Sequence, residues 1–111
     1  TEANACAQLA RLSGRTHELI TGVCVLDASS GRALLHLDVH RITLRALSAE
    51  QIADYVRRDQ PLDCAGSYKV EGLGITLMSA IEGEDFTAIT GLPLIAVTRM
   101  LSEHGLEVLG C

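Results

Sequence analysis

Apolar and polar positions along this chain follow helical and strand periods in turn. Residues 1–12 predict a first helix capped by Thr1, with Cys6, Leu9 and Ala10 on one face. From Thr16 to Asp27 both alternating sets of positions are apolar, a pattern typical of a strand that is covered on both faces and central in its sheet. Residues 28–31 predict a turn, and residues 32–47 predict the returning strand of a long hairpin.

The apolar positions change phase within this returning strand. They are odd-numbered in its first part and even-numbered in its second: Leu35, Leu37 and Val39, then Ile42, Leu44 and Ala46. One extra residue would bring both sets to the same face of the sheet. We therefore expect a β-bulge near His40.

A second helix is predicted by Ser48 with Gln51 three positions later, which together form a capping box. Its buried face is predicted to be Ile52, Tyr55 and Val56, and Pro61 marks its end. Beyond a glycine-rich stretch, the pattern predicts a strand over 75–81, an acidic turn over 82–85, a helix over 93–103 closed by Gly105, and a final strand over 106–109. Because no repeat or linker interrupts the chain, we expect one mixed α/β domain over residues 1–111.

Composition narrows the classes of protein. Hydrophobic residues make up 48% of the chain and aromatic residues 3%, so the core is expected to be aliphatic. A net charge of -5 offers no basic surface for a nucleic-acid polymer. No apolar run reaches the roughly 20 residues that span a membrane, and the first residues do not resemble a signal peptide. The spacing of the four cysteines fits neither a disulfide framework nor a zinc site: Cys6, Cys24, Cys64 and Cys111. We therefore expect reduced thiols and a cytoplasmic location.

The most unusual segment is CAGSYKVEGLGI at residues 64–75, where Glu71 stands among Gly66, Gly72 and Gly74. Because glycine lets backbone approach a flat ligand closely, we expect a pocket wall here. A carboxylate presents two acceptor oxygens that match the two donors on the Watson–Crick edge of guanine, and a positively charged 7-methylated ring would strengthen the attraction. The alternative is a solvated glutamate or a partner of Lys69.

Other candidates each have a structural alternative. Beside Glu71, Ser67 could supply a hydroxyl, Tyr68 a stacking ring and Lys69 a phosphate contact, although for Tyr68 packing against the aliphatic core is favoured. Residues 90–93 form a helix entrance that could attract an anion. The acidic turn of Glu82, Glu84 and Asp85 could suit magnesium but is more typical of a solvated surface. The four histidines show no catalytic spacing: His17, His36, His40 and His104. Of these, His17 is interpreted as a satisfied structural residue.

Several of these segments, taken in order, resemble the Maf family of nucleoside triphosphate pyrophosphatases. The resemblance lies in LSGRTHELITGV at 12–23, LSAEQIADYV at 47–56, PLDCAGSYKVEGLG at 61–74 and GLPL at 91–94. Within the family, Cys64, Ser67 and Glu71 are similar to the branch that acts on 7-methyl-GTP, whereas the dTTP and UTP branch has glutamine at the position of Glu71.

The resemblance implies a fold, an activity and partners. The fold would be a twisted mixed sheet flanked by helices, as in Maf and ITPase-like proteins. The activity would be hydrolysis of a modified nucleoside triphosphate to the monophosphate and pyrophosphate, with a divalent cation, Mg or Mn, in a homodimer. The substrate-binding residues carried over are Glu71, Ser67, Lys69 and Gly66.

The family's catalytic loops have no counterpart in this sequence. These are its serine and arginine turn, its SDQ-like loop with the aspartate that accepts the proton, and its GKP lysine loop. We therefore carry over no catalytic residue or metal ligand and expect the C-terminal part of a Maf-like protein, inactive alone. A noncatalytic nucleotide-binding or oligomerisation module and a purely structural remnant are the alternatives.

Overall fold

The computed structural model describes residues 1–110, apart from the side chain of Ala65. The helices are α1 (Glu2–Leu12), α2 (Ala49–Asp59), α3 (Thr87–Thr90) and α4 (Leu94–Glu103), and the strands are β1 (Thr16–Leu26), β2 (Ala33–Leu44) and β3 (Met78–Glu82). Short 3-10 helices cover Ala65–Ser67 and Leu73–Leu77. The chain divides into two compact units: unit 1 is Thr1–Leu19 with Arg41–Glu82, and unit 2 is Ile20–His40 with the chain from Gly83 onward.

Helices α1 and α2 pack together in unit 1 and begin where the sequence predicts. The capping box of α2 is confirmed, because the Ser48 hydroxyl accepts the Gln51 N–H and the Gln51 side chain accepts the Ser48 N–H. Its predicted buried face is also confirmed. The predicted face of α1 is only partly right: Leu9 is buried, but Cys6 is half-buried and Ala10 exposed.

The described sheet has the order β1-β2-β3, so β2 is its middle strand and β1 lies at an edge. The predicted central position of β1 was therefore wrong, and every second position of β1 is exposed, including Ile20 and Leu26. Strands β2 and β3 are antiparallel, and a short turn joins β1 to β2. Because such a short connection joins only antiparallel strands, the described sheet is antiparallel. The expectation of a mixed sheet was therefore wrong.

The predicted bulge near His40 was also wrong. Buried and exposed positions alternate without interruption along β2, and the irregularity in its pairing with β3 lies between Thr43 and Leu44. In unit 2 the inner face of β2 carries Asp38 and His40, which are 6% and 2% exposed and lie 2.6 Å apart at Oδ2 and Nδ1. Since this hydrogen bond satisfies both side chains, the polar pair occupies inner positions while Leu35 and Leu37 face outward.

The last part of the chain differs from its pattern at three places. The strand predicted over 75–81 is a 3-10 helix followed by β3, and the short helix α3 was not predicted. Helix α4 is confirmed, and Gly105 follows its end with a positive φ: the Gly105 N–H binds the Ser102 carbonyl, and the Leu106 N–H binds the Leu101 carbonyl. The strand predicted over 106–109 was wrong, because the described residues of this segment form no strand.

Buried apolar residues are mainly aliphatic, as composition predicts, with two tyrosines added in unit 1. The core of unit 1 includes Leu9, Ile42, Leu44, Ile52, Tyr55, Val56, Tyr68 and Leu77. That of unit 2 includes Ala88, Ala96 and Met100. Three cysteines, Cys6, Cys24 and Cys64, are free thiols, whereas Cys111 lies outside the described residues. Within residues 1–110, no helix has the length and apolar character needed to cross a membrane.

Candidate functional site

The glycine-rich segment lies in unit 1 and begins with a tight turn. Gly66 and Ser67 both have positive φ angles, +76° and +61°. Such a conformation is uncommon for a residue with a side chain. Ser67 is held in it by two hydrogen bonds, from its N–H to the Cys64 carbonyl at 3.0 Å and from its hydroxyl to Gln8 Oε1 at 2.5 Å. The turn therefore docks on α1, which carries Gln8.

The three glycines around Glu71 are packed against atoms of the chain itself. A Cβ added to Gly66 would lie 2.3 Å from the Tyr68 ring, and one added to Gly72 would lie 2.8 Å from Asp59 Oδ2. At Gly74 the added Cβ would meet the Lys69 carbonyl oxygen at 2.2 Å. Internal packing thus accounts for all three glycines without a ligand, and a direct contact between Gly66 and substrate stays a prediction.

Two side chains of α2 bind the backbone on either side of Glu71. The Tyr55 hydroxyl accepts the Lys69 N–H at 2.7 Å, and Asp59 Oδ2 accepts the Leu73 N–H at 2.8 Å. Tyr55 and Asp59 are also close to each other, because the Asp59 charge adds to the effect of burial in raising the pKa of Tyr55. Since Tyr55 is 4% exposed and burial raises its pKa, its hydroxyl keeps its proton.

Sequence reasoning assigned Tyr55 to the core and did not single out Asp59. Their spacing of four residues on one helix face was the available signal, because such residues are neighbours on the helix surface. The loop that they bind lies ten or more residues further along the chain, which the helix pattern could not reveal.

Glu71 itself is exposed between these two attachment points. Its carboxylate forms no hydrogen bond or ion pair with any residue in the described part of the chain, so the expected alternative of a Lys69 partner is not found there. The segment is also closed on itself, because the Lys69 carbonyl accepts the N–H groups of Gly72 at 3.2 Å and Gly74 at 2.8 Å. An unpaired carboxylate thus projects from a backbone that the protein holds in place.

Of the other candidate residues of this segment, Ser67 and Tyr68 have side-chain partners within the chain. Ser67 is buried and its hydroxyl binds Gln8, whereas Lys69 is half-buried. Tyr68 is buried against His17, with ring centroids 5.7 Å apart and an interplanar angle of 67°. Its position supports the core-packing interpretation. Roles of Ser67 and Lys69 in substrate binding stay predictions.

His17 is satisfied at only one of its two ring nitrogens. Nε2 lies 2.8 Å from the Tyr68 hydroxyl, whereas the buried Nδ1 has no hydrogen-bond partner among the described residues. Burial lowers the pKa of His17, so the neutral imidazole is favoured. The interpretation of His17 as a satisfied structural residue is therefore half right.

In unit 2 the acidic turn supplies a helix cap. Asp85 Oδ1 accepts the hydroxyl and N–H of Thr87 at 2.6 and 2.9 Å, and Oδ2 accepts the Ile95 N–H at 2.8 Å. These bonds, that of the Thr87 hydroxyl most strongly, lower the pKa of Asp85. The helix entrance that could attract an anion thus already holds the chain's own carboxylate.

The divalent cation implied by the resemblance finds no site in the described residues. They contain no group of three histidine, cysteine, aspartate or glutamate side chains that could hold a metal ion. In the acidic turn, both carboxylate oxygens of Asp85 already accept hydrogen bonds. The described residues therefore do not by themselves supply a set of ligands for the divalent cation.

Comparison with known proteins extends over nearly the whole chain. Residues 1–104 match the family described as Maf-like protein. Relatives named 7-methyl-GTP pyrophosphatase include a Syntrophotalea carbinolica protein that is 46% identical over 96% of this chain and 54% of its own length. Others are a Chromohalobacter salexigens protein, 45% identical over 97% of this chain and 56% of its own, and a Bdellovibrio bacteriovorus protein, 43% identical over 96% and 55%. The chain spans about half the length of these relatives, and it belongs to the family of Maf-like proteins.

Proposed function

We propose that this chain carries the base-recognition part of a nucleoside triphosphate pyrophosphatase that acts on 7-methyl-GTP or a related modified nucleotide. The whole protein would hydrolyse this substrate to the monophosphate and pyrophosphate. Family membership and the names of the relatives support this class of reaction. The observation that carries the assignment of the site is Glu71, an exposed and unpaired carboxylate on a segment whose backbone is held at both sides.

Glu71 suits a guanine base for two reasons. Its two carboxylate oxygens can accept hydrogen bonds from N1 and N2 of the base at once, and such paired, charge-assisted bonds are strong and directional. Methylation at N7 places positive charge on the ring, which an anionic side chain attracts more than a neutral one. In this proposal Lys69 contacts a phosphate, while Ser67 and Gly66 shape the turn before Glu71.

Catalysis would require more than this chain. We propose that the 111 residues alone do not hydrolyse the substrate and that they work as the C-terminal part of a Maf-like protein. Binding of the divalent cation would then depend on residues outside the described part. A homodimer in the cytoplasm belongs to the same proposal.

Binding can be tested by titrating the isotopically labelled chain with 7-methyl-GMP and with GMP while backbone amide shifts are followed by NMR. We expect saturable shifts centred on residues 67–74 and tighter binding of the methylated nucleotide. Glu71→Gln should remove the preference because it removes the charge. Glu50→Gln, which neutralises another exposed carboxylate of unit 1, is the matched control. A folded chain that shows no saturable shifts would overturn the assignment.

Hydrolysis is tested separately by measuring pyrophosphate release from 7-methyl-GTP with Mg²⁺ or Mn²⁺. We expect none from the chain alone. Release that depends on the chain would contradict the proposed inactivity while supporting the class of reaction.

The alternative is a noncatalytic nucleotide-binding or oligomerisation module, which one observation in unit 2 favours. Ile20, Leu35 and Leu37 on the outer face of the hairpin are 60%, 79% and 65% exposed. Exposed apolar residues grouped on one face are typical of interaction surfaces. Sedimentation of the chain over a range of concentrations would show association, and Leu35→Glu should abolish it if this face is used.

A further inference from the structure

One turn of α2 holds the backbone on both sides of the residue proposed to read the base. From this geometry we infer that Tyr55 and Asp59 are positioning residues that set the selectivity of the site for the methylated base by fixing where Glu71 stands. The inference rests on the proposed function of Glu71. It adds two residues that act through the backbone of Lys69 and Leu73, without a hydrogen bond to the Glu71 side chain.

The attachment is symmetric about Glu71. Lys69, two residues before it, donates its N–H to the Tyr55 hydroxyl at 2.7 Å, and Leu73, two residues after it, donates its N–H to Asp59 Oδ2 at 2.8 Å. The loop between these points therefore has both ends bound to one rigid helix. Glu71 lies at its centre, where its position depends on both attachments.

The two attachments also lie close to each other. The Asp59 carboxylate accepts the Leu73 N–H and lies close enough to Tyr55 for its charge to help raise the pKa of the hydroxyl that accepts the Lys69 N–H. Asp59 also lies directly against Gly72, where an added Cβ would be 2.8 Å from Oδ2 and 3.2 Å from Cγ. Removing the charge of Asp59 should therefore loosen the segment after Glu71 directly.

Fixed backbone matters here because recognition of a base edge is directional. A carboxylate can bind two donors together only if its plane and direction match those of the base. When the protein holds this orientation before binding, less freedom is lost on binding, and the gain is specific to the base that matches. A mobile Glu71 would still attract a cationic ring but would discriminate less.

Helix α2 supplies a matched control. Asp54 lies on the same helix, and its carboxylate pairs with the exposed Arg57 and Arg58 instead of with a backbone N–H near Glu71. Asp54→Asn makes the same chemical change as Asp59→Asn without touching the backbone near Glu71. Tyr55→Phe removes the hydroxyl that accepts the Lys69 N–H while leaving the ring in the core.

The experiment measures the dissociation constants of 7-methyl-GMP and GMP for the labelled 111-residue chain and for the three variants, together with amide hydrogen exchange at Lys69 and Leu73. We expect Asp59→Asn and Tyr55→Phe to weaken binding of 7-methyl-GMP by about tenfold and to reduce its preference over GMP. Exchange should become faster at Leu73 in Asp59→Asn and at Lys69 in Tyr55→Phe. Asp54→Asn should change neither quantity by more than about twofold.

The ratio of the two dissociation constants separates positioning from general destabilisation. Partial unfolding weakens both nucleotides equally and leaves the ratio unchanged, whereas displacement of Glu71 lowers it. A wild-type chain that prefers 7-methyl-GMP, with variants that keep the same ratio, would overturn the inference and leave the proposed function standing. A folded wild-type chain that binds neither nucleotide would overturn both.

Discussion

Replacing Gly74 with alanine should destabilise unit 1 by about 3 kcal/mol. The added Cβ would lie 2.2 Å from the Lys69 carbonyl oxygen and 2.6 Å from its carbon, distances that real Cβ atoms essentially never show. Both neighbours belong to the backbone, so no side-chain rotation can relieve the overlap. The loop must therefore move away from Lys69.

The magnitude follows from what this movement breaks. The Lys69 carbonyl accepts the N–H of Gly74 at 2.8 Å and that of Gly72 at 3.2 Å. Loss of each bond costs about 1 kcal/mol, and forcing a methyl group into a packed position adds about 1–3 kcal/mol. Alanine returns about 0.4–1 kcal/mol by restricting the unfolded chain. The balance is a loss of about 3 kcal/mol.

Urea unfolding followed by far-ultraviolet circular dichroism measures this loss. With a slope of about 2 kcal/mol per molar urea, the midpoint should fall by about 1.5 M. Gly22→Ala is the control, since its Cβ would make an ordinary contact of 3.8 Å with Leu37 Cδ1. It should change stability by no more than about 0.5 kcal/mol. Equal midpoints for the Gly74→Ala and Gly22→Ala variants would refute the reasoning.

Three further predictions use the same kind of measurement. Gly66→Ala should lower the free energy of unfolding by about 2–3 kcal/mol, because its Cβ would lie 2.3 Å from the Tyr68 ring at a positive φ. An unchanged free energy of unfolding would contradict the described turn. Ser48→Ala should cost about 1 kcal/mol, since it removes the acceptor for the Gln51 N–H, and a urea midpoint equal to that of the wild type would rule out the cap. Burial lowers the pKa of His17 in the folded chain, so on acidification the unfolded chain binds a proton at His17 before the folded chain does. Stability should therefore be complete above about pH 6.5 and fall on acidification, and His17→Gln should reduce that fall; an identical pH profile would argue against it.

Local patterns predicted the elements whose causes are local. Helix α2 needs only neighbouring residues, because Ser48 and Gln51 cap each other and its buried side chains recur at helical spacing. The termination of α4 just before Gly105 has a similar local origin, in the positive φ that glycine accepts readily. Glu71 was singled out from its glycine neighbours, although the structure explains those glycines by packing within the chain.

Other features required contacts between distant residues. The inner face of β2 admits Asp38 and His40 because the two satisfy each other, and a count of apolar residues cannot register such a pair. Segment 106–109 has a strand-like pattern, but a strand forms only when another strand lies beside it, and none pairs with its described residues.

By itself, the sequence determined the three longer helices, the hairpin, the aliphatic core and the position of an unusual carboxylate, because propensity, capping and periodicity act over a few residues. Only the tertiary structure decided which strand is central and what holds Glu71 in place. Tyr55 and Asp59 reach Lys69 and Leu73 across 14 residues of chain. Hydrogen bonds of this range depend on how the chain folds back on itself, which no short stretch of sequence encodes.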